Sequence, residues 1–129
     1  MKLRILSVFV VLMSLTSCIK KQVEGVQVVD IATYEKQLKQ PEVQLIDVRT
    51  PEEFSQGHLE NAKNINIMAE DFDAQVASLD KSKPVMVYCK SGGRSARASE
   101  RLKELGFTTI TDLEGGITNW NNEKKPTVK

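Results

Sequence analysis

The residues best suited to chemistry lie together in Tyr88-Cys89-Lys90-Ser91-Gly92-Gly93-Arg94-Ser95. This stretch follows an apolar run, Pro84 to Tyr88, and leads into a helical pattern, Ser95 to Leu105. Two adjacent glycines let the backbone turn tightly and present successive N–H groups. The helix start adds unpaired N–H groups and the positive end of its dipole. A thiol among such donors ionises more readily than a free one. Arg94 adds a fixed charge with a planar donor fork. The pattern describes an anion cradle with a thiolate at its base. Cys89 is the candidate nucleophile. The glycine pair Gly92-Gly93, Arg94 and the helix start near Ser95 make up the cradle around it. A free Cys is commonly just a small buried apolar residue. Here strand end, glycine pair, arginine and helix start converge, which argues for a reactive one.

Other polar residues suit supporting work. Asp47 falls at the end of a second apolar run and could fix Arg49, Arg94 or a loop N–H group. A carboxylate against a thiolate would oppose its ionisation, so Asp47 fits a structural role better than direct catalysis. Arg49 can pair with Asp47 or Glu53. His58, the one histidine, follows Gly57 at a helix end, where a structural hydrogen bond is expected. Trp120 and Phe54 are expected in the core. Arg101 reads as a solvated helix face, and Arg97 is open between rim charge and function.

Strands and helices alternate around these residues. Val26 to Val29 reads as a strand, and Asp30 caps a helix with Ile31, Tyr34 and Leu38 on one face. Val43 to Val48 is a strand-length apolar run. Thr50-Pro51-Glu52-Glu53 is a helix start: N-cap, proline at the first position, and capping box. Gly57 ends that helix. Asn64 to Ile67 is expected as a third strand, Ala69 to Leu79 as a helix, and Pro84 to Tyr88 as a buried strand. Thr108 to Leu113 reads as a last strand and Gly116 to Asn122 as a last helix. The alternation implies a parallel sheet covered on both faces, with ligands outside the carboxyl ends of its strands. Cys89 and Asp47-Val48-Arg49 both stand at such ends.

The beginning of the chain reads as an export signal. Lys2 and Arg4 precede a short apolar run ending at Leu15, too short to span a bilayer, which needs roughly 20 residues. Leu15-Thr16-Ser17-Cys18 resembles the bacterial lipobox, which implies that Cys18 is lipid-modified and becomes the mature N-terminus. Residues 1–17 are then the signal peptide. Residues 18–25 form a lipidated start and linker, 26–122 the domain, and 123–129 a polar tail. The expected place is a bacterial cell-envelope membrane, facing the periplasm. Removing Lys2 and Arg4 takes the formal charge from +1 to −1. Such a near-neutral chain argues against a nucleic-acid partner relying on a basic surface. With Cys18 acylated, Cys89 is the lone thiol, and no internal disulfide can form. A single His argues against a His-rich metal site.

The chain resembles the single-domain rhodanese-like sulfurtransferases. Ile46-Asp47-Val48-Arg49, Pro51-Glu52-Glu53-Phe54, Gly57-His58-Leu59 and Asn61 to Ile65 resemble their N-terminal motif. Cys89 to Ser95 resembles their active-site loop. Leu113-Glu114-Gly115-Gly116-Ile117 with Trp120 resembles their C-terminal motif. The resemblance implies an α/β fold of three layers, a five-stranded, mostly parallel sheet with helices on both faces. It implies attack by Cys89 on a small sulfur-containing anion such as thiosulfate, with the N–H groups of Lys90, Ser91, Gly92, Gly93, Arg94 and Ser95 holding the anionic sulfur, Arg94 orienting the loop or the donor's sulfonate end, and Lys90 drawing anions to the rim. The resulting persulfide passes its sulfur to cyanide or a thiol, which a small redox protein could carry. No metal and no nucleotide cofactor is implied. Phosphatases and arsenate reductases of the same fold are the competing class. Their loop has five residues between Cys and Arg, whereas four separate Cys89 from Arg94, a ring better suited to one sulfur atom than to a phosphate. A sulfur-carrying or binding module without catalysis is a third reading.

Overall fold

Val85-Met86-Val87-Tyr88 is buried along its whole length and forms the middle strand of the sheet. Such a run, apolar at every position, suits a strand covered on both sides. The computed structural model describes residues 23–129. Cys18 and the expected signal peptide lie outside the described residues. In chain order the elements are β1 (Val26–Val29), α1 (Ile31–Leu38), β2 (Gln44–Asp47), α2 (Pro51–Ser55) and β3 (Lys63–Asn64). There follow α3 (Phe72–Val76), β4 (Val85–Tyr88), α4 (Gly93–Glu104), β5 (Ile110–Leu113) and α5 (Gly116–Asn122). The sheet order is β1-β5-β4-β2-β3, and every pairing is parallel.

The period of two along each strand divides the core. Ile46, Val85, Val87, Cys89 and Ile110 pack with Phe72 and Val76 of α3 and Ala98 and Leu102 of α4. Leu45, Met86, Tyr88 and Leu113 pack with Ile31 and Tyr34 of α1 and Ile117 and Trp120 of α5. The result is the three-layer α/β arrangement expected, with helices on both faces.

Several elements differ from their expected bounds; β5 starts at Ile110 rather than Thr108, and β2 is one residue shorter at each end than Val43 to Val48. β3 is Lys63–Asn64 rather than Asn64 to Ile67. Beyond it the Ile65 and Ile67 N–H groups still reach the Asp47 and Val48 carbonyls at 2.9 and 3.1 Å, but the ladder has ended. The helix expected over Ala69 to Leu79 is only α3. The Ala69 and Phe72 N–H groups bond three residues back, as do those of Ser78 and Leu79, so tight turns replace the outer α-helical turns. α4 begins at Gly93, two residues before Ser95, so Gly93 and Arg94 belong to its first turn. Phe54 is half-buried rather than in the core, because α2 buries none of its residues. Its ring stacks on His58 with centroids 3.7 Å apart.

The tail after α5 is bound to the domain. Val128 pairs antiparallel with His58 through two 2.9 Å backbone bonds. Trp120 Nε1 donates to the Pro126 carbonyl at 3.0 Å, and Lys125 Nζ lies 2.7 Å from Glu35.

Candidate active site

Cys89 follows β4 directly and is buried, with its sulfur inside the loop that leads to α4. The Gly92 N–H donates to Sγ at 3.1 Å, and the thiol donates to Ser95 Oγ at 3.3 Å. Gly92 holds φ +123°, which a side chain would resist, and this conformation aims its N–H at the sulfur. It is also the N-cap of α4 and supplies no side-chain cap to the helix start. The first turn of a 12-residue helix therefore presents N–H groups beside the sulfur.

α5 fixes the other side of the loop. Its Ile117 and Thr118 N–H groups donate to the Cys89 and Lys90 carbonyls at 2.9 and 3.0 Å. All peptide bonds described are trans, so the Lys90 and Ser91 N–H groups point away from α5. Gly116 permits this approach: a Cβ there would stand 2.6 Å from the Cys89 carbonyl oxygen and 2.5 Å from that of Lys90. Its φ is +60°.

The Arg94 fork does not stand free for an anion, as the sequence suggested. It grips Glu53 at 2.6 and 2.8 Å. Glu53 also completes the capping box of α2 through the Thr50 N–H at 3.0 Å. Arg94 above all, with Thr50, holds the Glu53 carboxyl down to about 2. α2 is thereby latched to the first turn of α4. Nothing in the sequence spacing marks this pair, since its members lie 41 positions apart.

Asp47 and Arg49 find each other. Arg49 Nη2 lies 2.6 Å from Asp47 Oδ2, Nε reaches both carboxylate oxygens, and Nη2 also donates to the Gly57 carbonyl at 2.8 Å. The Asp47–Tyr88 register puts them on the face opposite Cys89, with the Arg49 guanidinium 5.7 Å from the Tyr88 ring centre. The Tyr88 hydroxyl accepts from the Leu59 N–H at 3.0 Å. His58 makes a structural contact, Nδ1 to the Phe54 carbonyl at 3.0 Å. Arg101 pairs with Asp73 and Glu104 on the surface, and Arg97 is exposed. Ser91 and Lys90 are exposed. Beside Lys90 a polar cavity of about 270 Å³ opens, walled by Arg49, Gln56, Thr118, Asn121 and Thr127 among others.

Asp112 is a site residue that the motifs do not mark. It lies within β5, 3% exposed, and its Oδ1 has no hydrogen-bond partner among the described residues. A carboxyl inside a strand buried on both faces is itself the signal, because such groups are rarely buried unpaired.

Residues 30–123 match the rhodanese-like domain family. The chain is 42% identical over 92 residues to thiosulfate sulfurtransferase 16 of Arabidopsis thaliana, covering 64% of this chain and 77% of that protein. The crystal structure of a rhodanese-related protein from Thermoplasma volcanium superposes with a TM-score of 0.70 at 34% identity, covering 79% of this chain and 97% of the other. A polysulfide-sulfur transferase from Wolinella succinogenes gives a TM-score of 0.68 at 34% identity, covering 81% and 79%. The chain spans between 55% and 80% of the lengths of several curated relatives.

Proposed function

The chain belongs to the rhodanese-like family, and from that premise we propose that it is a sulfurtransferase carrying sulfane sulfur on Cys89. The observation that carries this reading is the sulfur at the end of β4, held by the Gly92 N–H at 3.1 Å before a helix start without a side-chain cap. An anion at that sulfur meets N–H groups and a helix dipole, and no charged side chain has to move to receive it.

The Cys89 thiolate attacks the outer sulfur of a donor such as thiosulfate. A sulfur–sulfur bond forms to Sγ, the donor's own sulfur–sulfur bond breaks, and sulfite leaves with the electron pair. A nucleophilic acceptor, cyanide or a thiol, then attacks the outer sulfur of the persulfide and the electron pair returns to Sγ. Two easier displacements replace one transfer. The N–H groups of Lys90 to Ser95 hold the added sulfur, Lys90 draws anions to the rim, and Arg94 steadies the loop through Glu53. Relatives named for thiosulfate and for polysulfide make both donor classes reasonable. The polar cavity beside Lys90 suits a small hydrophilic acceptor better than an apolar one.

The proposal includes the cell-envelope placement. Cys18 is the lipidated N-terminus, and the seven residues after it hold the domain within about 25 Å of the membrane face. Lipid mass on Cys18 supports this; a mature N-terminus elsewhere, without lipid, contradicts it.

Turnover tests the enzyme reading. Thiosulfate and cyanide should give the parallel-line kinetics of a covalent intermediate, and Cys89→Ser should fall to background with the fold intact. Faster turnover of a phosphoester or of arsenate than of thiosulfate would overturn it.

A further inference from the structure

Asp112 is a buried acid that the sulfur-transfer steps leave without work. The registers Ile46–Val87 and Val87–Asp112 align these side chains across the sheet, on the face that carries Cys89. α4 covers this face and turns Ser95 and Ser99 inward, both buried. The Ser95 hydroxyl takes the thiol hydrogen bond at 3.3 Å and donates to the Gly92 carbonyl at 3.2 Å.

Resting on Cys89 as the sulfur-bearing nucleophile, we propose that Asp112 is the proton-holding residue of the site, exchanging one proton with the Cys89 thiol through the Ser95 hydroxyl. Asp112 does not touch the sulfur and acts by positioning a proton. As the donor is attacked, the Cys89 S–H proton passes to Ser95 Oγ, while the Ser95 hydroxyl turns from Gly92 and gives its own proton to the Asp112 carboxylate. The pair keeps one negative charge throughout, now on sulfur. When an acceptor displaces Cys89 from the persulfide, the proton returns by the same path to the leaving sulfur. The buried site thus avoids holding two anions on one face of the sheet.

The surroundings suit this exchange. Burial pushes the Asp112 carboxyl up to about 6, and the Ser95 hydroxyl is the side chain that opposes that rise. From β4 the titratable group on this face is Cys89. From α4 the inward polar groups are Ser95 and Ser99, while Arg94 is held by Glu53 and Arg101 by Asp73 and Glu104. β1 sets the apolar Val28 beside Asp112. Through the sheet, Tyr34 of α1 is pushed up, by burial first and then by the Asp112 charge.

The test is alkylation of Cys89 by iodoacetamide, read by the mass of the peptide that carries Cys89 from about pH 5 to about pH 9, where coupled groups titrate in two shared steps. The full chain is used, and persulfide loading by thiosulfate is measured on the same samples. The native rate should rise in two steps, the lower one near the pH where Asp112 gives up its proton. Asp112→Asn should lose the lower step, with alkylation at pH 6 slowed about tenfold, the effect of displacing the profile by about one unit. Ser95→Ala should lose it too, and Ser95→Thr, which keeps a hydroxyl, should restore it. An Asp112→Asn profile matching the native one overturns the proposal. Should that variant not fold, identical profiles for Ser95→Ala and Ser95→Thr overturn it instead. Two-step alkylation in a protein that never gains sulfur would leave the proton pair standing and sink the sulfur-transfer reading.

Discussion

At the residue scale, Arg94 and Glu53 carry the clearest consequence. Arg94→Ala strips the Glu53 carboxylate of its partner and leaves that charge near the loop, so persulfide loading should fall sharply. Arg101→Ala removes two exposed ion pairs, each of the kind worth at most about 1 kcal/mol, and loading should stay near native. A thiosulfate titration of both variants checks this, and equal losses would deny Arg94 its role. Glu53→Gln keeps an N3 group able to complete the capping box but gives up the charge facing Arg94, which should cost about 1 kcal/mol at neutral pH, the upper worth of a partly exposed ion pair. The sign of its pH dependence follows from a folded value near 2 against 4.5. Stability from this group is complete above about pH 4.5 and is lost as pH falls toward about 2. Urea midpoints of native and Glu53→Gln proteins should therefore converge over that range. The sequence disclosed half of this pair's work. Thr50-Pro51-Glu52-Glu53 announces a capping box from local spacing alone, while the Arg94 contact depends on two helices meeting in space.

At the element scale, the active loop is pinned between two helix starts, and the glycines show where it has no slack. Gly116→Ala sets a Cβ against the Cys89 and Lys90 carbonyls in a left-handed backbone. It should cost about 1–3 kcal/mol and displace the loop, lowering sulfur loading as well as the melting temperature. Gly93→Ala meets nothing within 4 Å, lies inside α4, and should leave stability equal or slightly raised. Thermal melts of the two variants separate these outcomes. Elements with strong local signals, such as α1 with its Asp30 cap, α5 and the buried β4, kept close to their expected bounds. β3 and α3 did not. Their apolar residues, Ile65, Ile67, Phe72 and Val76, are buried or half-buried as the pattern implied. Burial alone does not select ladder or helix, and tight turns around Asn66 and Ala69 satisfy the backbone instead.

At the scale of the whole molecule, a parallel sheet in the order β1-β5-β4-β2-β3 places Cys89 and Asp112 on one face and Asp47, Arg49 and Tyr88 on the other. Alternating strands and helices made the layers legible. Alternation does not fix strand order or register, so the partition of polar residues between faces stayed hidden, and Asp112 passed as one more strand position. Its burial has a global cost. The folded chain holds a proton on Asp112 up to about pH 6 that the unfolded chain releases near 3.8, so this group makes stability fall as pH rises across that window. Asp112→Asn should flatten that decline in denaturant melts, and an unchanged slope would mean that the carboxyl titrates normally. The central claim, that this fold exists to present Cys89 as a carrier of sulfur, is tested most directly by intact-mass measurement before and after thiosulfate. The account predicts a gain of one sulfur atom on Cys89, removed by cyanide and absent in Cys89→Ser. No gain on a folded protein whose Cys89 still alkylates, or a gain that persists in Cys89→Ser, would contradict it.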